Sequence, residues 1–238
     1  MASVLRLARC RRPIHREIQA KNAAALAGSC CAEAERGRWS FVEKPYQRIL
    51  TFWFGGSTEE TKERASRWWK KDPAFDQQIR TEFEADLLRA TRGELDSWLE
   101  EPESSVAFVV LLDQFSRNMY RDTPEAFAQD ERALAATLRG MERGFEARLT
   151  PLQRYFFCMP LMHAEDRAIQ RRSVETFEKL GQEKNTGFDG MLRGAADYAR
   201  RHCEIVERFG RFPHRNNLLE RTTTGDEAAF LLTPGSSF

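Results

Sequence analysis

Apolar positions recur with the period of an α-helix along most of the chain after residue 41. The clearest stripe is spaced alternately by four and three residues and consists of Phe188, Leu192, Ala195, Ala199, His202, Val206 and Phe209. This spacing places the stripe on one helix face, and Gly210 is expected to end the helix. No segment alternates between apolar and polar residues for long enough to predict a strand.

Helix start signals recur between these stripes. A polar residue followed by proline, or a Ser/Thr followed by Glu three residues later, occurs at Asp72-Pro73, Thr123-Pro124, Thr150-Pro151, Ser57-x-x-Glu60 and Thr224-x-x-Glu227. Pro160 is expected to end or kink the helix that begins at Pro151, because its ring removes one hydrogen bond. The pattern predicts an all-α fold of about eight or nine helices, packed as antiparallel helical hairpins without a sheet.

The first part of the chain has a different composition. Residues 1–32 contain Arg6, Arg9, Arg11, Arg12, Arg16 and Lys21 but one acid, Glu17. An arginine-rich, acid-poor segment is typical of an organellar transit peptide, mitochondrial before plastid because arginine outweighs serine. A disordered tail or a start codon placed too far upstream are the alternatives, and the protein is then cytoplasmic. We therefore divide the chain into a basic extension, residues 1–40, and one helical domain, residues 41–238.

The composition of the whole chain is that of a globular protein, with 41% hydrophobic and 31% charged residues. The formal net charge of +1 gives no drive towards nucleic acid or an anionic membrane. No apolar run approaches the roughly 18 residues of a membrane span. The five cysteines form no C-x-x-C pair, which favours reduced, packed thiols. We expect a soluble protein that binds neither nucleic acid nor membrane; its oligomeric state stays open.

The first polar cluster follows a segment that is apolar on every side, residues 106–112, and is therefore expected to be central and buried. At 100° per residue, Asp113, Arg117, Asn118 and Arg121 then share one polar face. The alternative is a solvated helix end with an Asp113–Arg117 pair worth about 0.3–0.5 kcal/mol.

The second cluster contains His163, Glu165, Asp166 and Gln170. If the helix resumes after Pro160, His163, Asp166 and Gln170 share one helix face. A histidine beside carboxylates is suited to act as a general base. A divalent-metal site is a further possibility, but neither Glu-x-x-His nor His-Glu-x-x-His is present, so we assign no metal or other cofactor. The alternative is a kink whose carbonyls these side chains satisfy.

The third cluster follows the helix that Gly210 ends. Arg211, His214, Arg215 and Asn216 lie in a proline-stiffened loop. Guanidinium groups suit phosphate or carboxylate ligands. The alternative is that both arginines bind loop carbonyls and the acids of neighbouring helices. His202, on the apolar stripe, is interpreted as a hydrogen-bonded core histidine.

At these clusters the sequence resembles a known family. The runs at residues 113–121, 159–166 and 208–216 resemble the bacterial family catalogued as domain of unknown function 924, and the resemblance covers about residues 46–232. It implies an all-helical fold similar to the tetratricopeptide-like superfamily and no established activity. Three positions depart from the family pattern: Ser116 replaces a common proline, Ala164 a common serine and Glu220 a common glycine. The last departure puts a turn before Arg221 in doubt if the backbone there is left-handed.

Three functional hypotheses follow. In the first, the clusters converge into a pocket for a small anionic molecule, and the protein is a hydrolase or transferase. Its proton-transfer residues are His163 and His214, oriented by Asp113 and Asp166, and its ligand-binding residues are Arg117, Asn118, Arg121, Gln170, Arg211, Arg215 and Asn216. In the second, a helical scaffold binds a peptide or acidic protein segment, by analogy with the fold alone. In the third, the polar clusters only stabilise the fold, with the arginines buried against carboxylates.

Overall fold

The computed structural model describes residues 44–236, and this part of the chain contains nine α-helices and no β-strand. The helices are α1 (Pro45–Phe54), α2 (Thr58–Trp68), α3 (Pro73–Thr91), α4 (Pro102–Val109, continued by Val110–Phe115 and Ser116–Met119), α5 (Asp130–Glu142), α6 (Pro151–His163), α7 (Arg167–Leu180), α8 (Asp189–Phe209) and α9 (Gly225–Leu231). Short 3-10 turns occupy Asp96–Glu100, Pro124–Phe127, Phe145–Arg148 and Pro213–Arg215. The predicted all-α fold is confirmed, whereas the predicted extension, residues 1–40, lies outside the described residues.

Most helix start signals act as predicted, but Thr123-Pro124 begins only a 3-10 turn, and the side chain of Thr123 does not cap it. The side chain of Asp72 accepts the amides of Ala74 and Phe75 at 3.1 and 3.2 Å, and Thr150 and Thr224 form capping boxes. At α2 the carboxylate of Glu60 accepts the amide of Gly56 at 2.9 Å instead of the N-cap amide. No helix within residues 44–236 is long and apolar enough to cross a bilayer.

The last three long helices pack as antiparallel hairpins. Arg171 of α7 pairs with Glu207 of α8 at 2.7 Å, and Glu178 pairs with Arg200 at 2.9 Å, so residue numbers run in opposite directions along the two helices. Arg154 near the start of α6 pairs with a glutamate just beyond the end of α7, which makes α6 and α7 antiparallel as well. The predicted hairpin arrangement is therefore confirmed, and α6 and α8 run in the same direction.

The core is built around α4 and α6. All residues from Val106 to Leu112 are completely buried, as expected for a helix that is apolar on every side. Trp53 of α1 joins the two central helices, because its ring lies 5.4 Å from Phe115 and 5.5 Å from Phe156 between centroids. Helices α1, α3, α5 and α6 surround α4, so its polar end lies inside the domain.

Pro160 does not end its helix, because α6 continues through it to His163. Side chains of neighbouring helices bind carbonyls around this last turn: Thr137 donates to the carbonyl of Phe157 at 2.7 Å, and Gln170 donates to the carbonyls on either side of His163, each at 2.7 Å. The chain then breaks and α7 begins with Asp166 as its N-cap residue. The prediction that His163, Asp166 and Gln170 share one helix face is therefore wrong.

The departure at Glu220 does not prevent the turn. Glu220 adopts a left-handed conformation with φ of 51°, the amide of Arg221 donates to the carbonyl of Asn216 at 2.8 Å, and that of Glu220 donates to Asn217 at 3.4 Å. These are the two bonds of a Schellman motif, in which glycine is the usual left-handed residue. The turn therefore forms with a strained glutamate at its left-handed position.

Candidate functional site

A histidine–aspartate pair connects two central helices. Nδ1 of His163, the last residue of α6, lies 2.7 Å from Oδ1 of Asp113, whose side chain is completely buried in α4. Gln114 donates to the other carboxylate oxygen. Burial would raise the pKa of Asp113, but the charges of Arg117 and His163 together with these hydrogen bonds hold that pKa well below its usual range. The carboxylate is therefore ionised and fully desolvated at neutral pH.

Asp113 lies in a π-helical segment, Val110–Phe115. Such segments are rare and are frequently found at functional sites. The expected alternative of a solvated helix end does not hold, because Asp113, Gln114 and Asn118 are 0%, 5% and 6% exposed. Regular 100° spacing cannot place these residues correctly, since a π-helical turn is wider than an α-helical one.

His163 presents one open nitrogen. Its pKa is lowered by burial and by the charge of Arg117, against the opposing effect of Asp113, so the imidazole is neutral at pH 7. The ionised carboxylate fixes the proton on Nδ1, which leaves the lone pair on Nε2. Nε2 has no hydrogen-bond partner within residues 44–236, and the side chain retains 12% exposure. The dyad therefore consists of a neutral, partly exposed imidazole and the buried carboxylate that orients it.

A closed ring of interactions holds the dyad. Arg117 pairs with Asp113 at 3.1 Å and donates to Asp130, the first residue of α5, at 3.1 Å. Arg215 donates to the same oxygen of Asp130 at 3.0 Å and to the carbonyl of His163 at 3.2 Å. Two carboxylates thus balance two guanidinium groups, and His163 is held through both its ring and its main chain.

Arg215 is the most buried arginine of this ring. Its side chain is 7% exposed, and its guanidinium lies 4.6 Å from the ring centroids of both Phe127 and Phe212. Burial lowers the pKa of Arg215 to about 10, although the charge of Asp130 opposes the shift. The group stays charged at neutral pH and is unavailable to solvent.

Ring contacts through Phe212 connect the three histidines of the described residues, 44–236. The rings of His163 and His202 are 6.3 Å apart, and the ring of Phe212 lies 5.5 Å from His202 and 5.6 Å from His214. Burial lowers the pKa of His202 to about 3 and that of His214 to about 4, so both are neutral at pH 7. Nδ1 of His202 binds the carbonyl of Tyr198 at 2.8 Å, in agreement with a buried core histidine.

Asn118 and Arg121 lie away from the dyad and tie α4 to α3. Arg121 binds both oxygens of Asp76 at 2.7 and 2.9 Å, and Asn118 donates to the same carboxylate at 2.7 Å. Asp76 gave no signal in the sequence, because it appears as an ordinary exposed position of α3. These two predicted ligand-binding residues are therefore engaged in helix packing.

The loop after α8 is fixed by its own ion pairs. Arg211 binds Glu227 of α9 at 2.7 and 2.9 Å, and Asn216 donates to the same carboxylate at 3.3 Å. Glu165 accepts the amide of Phe212 at 2.7 Å and pairs with an arginine further along the loop. Arg211 and Asn216 thus stabilise this loop.

Asp166 and Gln170 also have local partners. Asp166 accepts the amide of Ile169 at 2.8 Å as an N-cap, so it orients no histidine. Gln170 is completely buried and binds the main chain beside His163. The three polar clusters therefore do not converge into one pocket: Asp113, Arg117, His163 and Arg215 come together, and the other predicted residues do not join them.

The two cavities described for this domain open away from the dyad. Two surface cavities of about 580 and 370 Å³ open between α7 and α8 and at the starts of α2 and α6, and no predicted site residue lines either. Residues 44–236 contain no group of three or more His, Cys, Asp or Glu side chains placed to hold a metal ion. Cys158 and Cys203 are free thiols in this part of the chain.

Comparison with known proteins agrees with the sequence motifs. The family model described as bacterial protein of unknown function, DUF924, matches residues 49–235. A solved structure of a protein of unknown function from Agrobacterium tumefaciens is 37% identical, with a TM-score of 0.68, and the match covers 79% of this chain and 96% of that chain. Curated protein sequences gave no match. The chain therefore belongs to the bacterial DUF924 family, whose function is not established.

Proposed function

We propose that His163 and Asp113 form a general-base dyad that serves a hydrolase or transferase reaction. The observation that carries this proposal is the bond between Nδ1 of His163 and a buried, ionised carboxylate, which leaves Nε2 open. A histidine oriented by a buried aspartate is the arrangement that activates hydroxyl groups and water in many acyl-transfer enzymes. The π-helical position of Asp113 supports the same interpretation.

The dyad would act by moving one proton twice. Nε2 of His163 takes a proton from water while the water oxygen bonds to the carbonyl carbon of an ester. The bond from that carbon to the leaving oxygen then breaks, and the imidazolium returns the proton to the leaving alcohol. The charge of Asp113 stabilises the imidazolium in between. If an alcohol replaces water, the same sequence transfers the acyl group.

The arginines contribute to this proposal by positioning the dyad. Each of Arg117, Arg121, Arg211 and Arg215 is paired with a carboxylate. None of these four guanidinium groups is therefore unpaired and ready to bind a small anion, as the first hypothesis expected. That pairing is what the structural hypothesis requires for the arginines. It does not account for His163, whose open nitrogen forms no bond that would stabilise the fold.

The test compares the full-length chain with His163→Gly in the hydrolysis of p-nitrophenyl acetate. We expect the variant to lose roughly 10²–10⁴-fold in rate, the usual contribution of a general base, and added imidazole to restore part of the loss. Circular dichroism and thermal melting check that the variant folds. A wild-type rate no higher than that of free imidazole at equal concentration, or an undiminished rate in the variant, refutes the proposal.

A second measurement tests the protonation state directly. Diethyl pyrocarbonate reacts with unprotonated, accessible imidazole nitrogens, and mass spectrometry locates the modified residue. We expect His163 to react faster than His202 and His214, because its open nitrogen keeps a lone pair and some exposure. Equal or slower modification of His163 argues against an accessible base.

A further inference from the structure

The cavity of about 370 Å³ lies where three segments far apart in the sequence meet. Its lining residues belong to the loop into α2, the first turn of α6 and the loop into α8, within residues 54–61, 150–153 and 186–188. The two loops lie close together, because a Cβ atom added to Gly187 would be 3.7 Å from the methyl group of Thr58. Pockets for small molecules measure roughly 300–1,000 Å³, so this cavity is large enough to hold one.

The lining of this cavity is polar but uncharged. Half of the lining residues carry a hydroxyl or an amide in their side chains, namely Ser57, Thr58, Thr61, Thr150, Gln153 and Thr186. None of the lining residues, all of which lie in the described part of the chain, has an acidic or basic side chain. Hydroxyl and amide groups exchange hydrogen bonds with a ligand, but they do not balance a charge on it.

Two of these polar groups are not used by the fold. Oε1 of Gln153 accepts the amide and the hydroxyl of Thr150 at 3.0 and 3.1 Å, whereas Nε2 of Gln153 forms no hydrogen bond within residues 44–236. The hydroxyl of Thr58 forms none within the same residues. An amide nitrogen donates, and a hydroxyl both donates and accepts. The cavity therefore offers two groups that are able to donate to oxygen atoms of a ligand.

The remaining lining side chains are largely apolar. Phe54 and Leu152 are each 8% exposed, and Phe188 is partly exposed. A pyranose sugar carries hydroxyl groups around its rim and C–H groups on its faces. Packing such a C–H face against these side chains removes apolar surface from water. The lining thus provides both kinds of contact that an uncharged sugar requires.

Charged groups next to the cavity disfavour an anion. The carboxylate of Glu60 accepts an amide of the loop into α2 at 2.9 Å, and that of Asp189 accepts the amide and the hydroxyl of Thr186 at 2.9 and 2.6 Å. These carboxylates occupy amides beside the starts of α2 and α8, where an anionic ligand would otherwise bind. Arg64 lies beside the same loop, but its guanidinium donates to the carbonyl of Phe52 at 2.6 Å.

We propose that this cavity is a binding site for an uncharged sugar. An oxygen of the sugar accepts from Nε2 of Gln153, a second hydroxyl bonds to the hydroxyl of Thr58, and a C–H face packs against Phe188. The site is separate from the dyad, because Leu152 and His163 are three turns apart on α6, about 16 Å along its axis. The inference therefore does not depend on the proposed function.

The test titrates the full chain with glucose, galactose, mannose and maltose in saturation-transfer NMR. We expect at least one of these sugars to bind with a Kd below about 10 mM. Gln153→Glu keeps the oxygen that caps α6 but removes the amide donor, so the melting temperature should not fall. Thr58→Val keeps the shape of the side chain but removes its hydroxyl. Each variant should weaken binding about fivefold to tenfold, the usual effect of one lost hydrogen bond.

Gln47→Glu is the matched control, because it makes the same change at the capping-box position of α1, outside the cavity. It should leave the affinity unchanged, and so should His163→Gly. Any of three outcomes overturns the inference: no binding of the four sugars below about 10 mM, an affinity that neither cavity variant changes, or tighter binding of glucose 6-phosphate than of glucose.

Discussion

Asp130→Asn is the substitution that best separates a buried ion network from a set of surface pairs. One oxygen of Asp130 accepts from Arg117 at 3.1 Å and from Arg215 at 3.0 Å. The side chains of Asp130 and Arg215 are 17% and 7% exposed. Asparagine keeps the shape but removes the charge. Arg117 then retains Asp113, whereas Arg215 retains the carbonyl of His163 and no carboxylate.

The expected loss follows from the unbalanced guanidinium. Breaking a buried ion pair by removing one partner costs about 3–5 kcal/mol. We expect the lower end, about 3 kcal/mol, because the asparagine oxygen still accepts one hydrogen bond and Arg117 keeps a partner. For a domain of this size, each kcal/mol corresponds to roughly 2–4 °C, so the melting temperature should fall by about 6–12 °C.

Urea and thermal denaturation of the full chain measure this loss. The matched control is Asp96→Asn, whose pair with Arg132 is about half exposed and should cost less than about 1 kcal/mol. Adding Arg215→Met to Asp130→Asn should recover part of the stability, since neither charge is then left buried alone. A loss no larger than that of the control would refute the buried network. The pKa of His163, followed by NMR, should also fall in Asp130→Asn, because Asp130 raises it.

Three further predictions concern the fold around the site. Glu220→Gly should raise the free energy of unfolding by about 0.5–1 kcal/mol in urea denaturation, because φ is 51° there, and a loss of stability would contradict the assigned turn. Thr137→Val should lower it by about 1–3 kcal/mol, because the carbonyl of Phe157 loses its buried donor; an unchanged value would mean that the bond is dispensable. Because the pKa values of His202 and His214 are lowered to about 3 and about 4, the unfolded chain binds more protons than the folded chain below about pH 6.5. The free energy of unfolding should therefore decrease as the pH is lowered, by roughly 2–3 kcal/mol per pH unit near pH 5. His202→Phe should remove about half of that slope, and a flat profile would contradict both shifts.

The sequence by itself determined the helices and most of their ends. The caps at Asp72, Thr150 and Thr224 and the left-handed Gly210 are read correctly, because a cap is satisfied by residues within one turn. Burial of α4 also follows from the sequence, since a helix without a polar face has to be covered by others. The sequence predicted an end or a kink at Pro160, and the helix does not end there; the side chains that bind carbonyls around this turn, such as Thr137, come from other helices.

The tertiary structure alone decided which polar residues act together. The motifs identified Asp113, Arg117, His163 and Arg215 as candidates, but the distances between them depend on how α4, α6 and the loop after α8 pack. Asp76 and Asp130, which occupy the arginines, gave no signal, because a carboxylate at the start of a helix looks the same whether or not it faces a distant guanidinium. Hydrogen bonds within one helical turn can be predicted from neighbouring residues, whereas the pairing of buried charges depends on contacts between segments far apart in the chain.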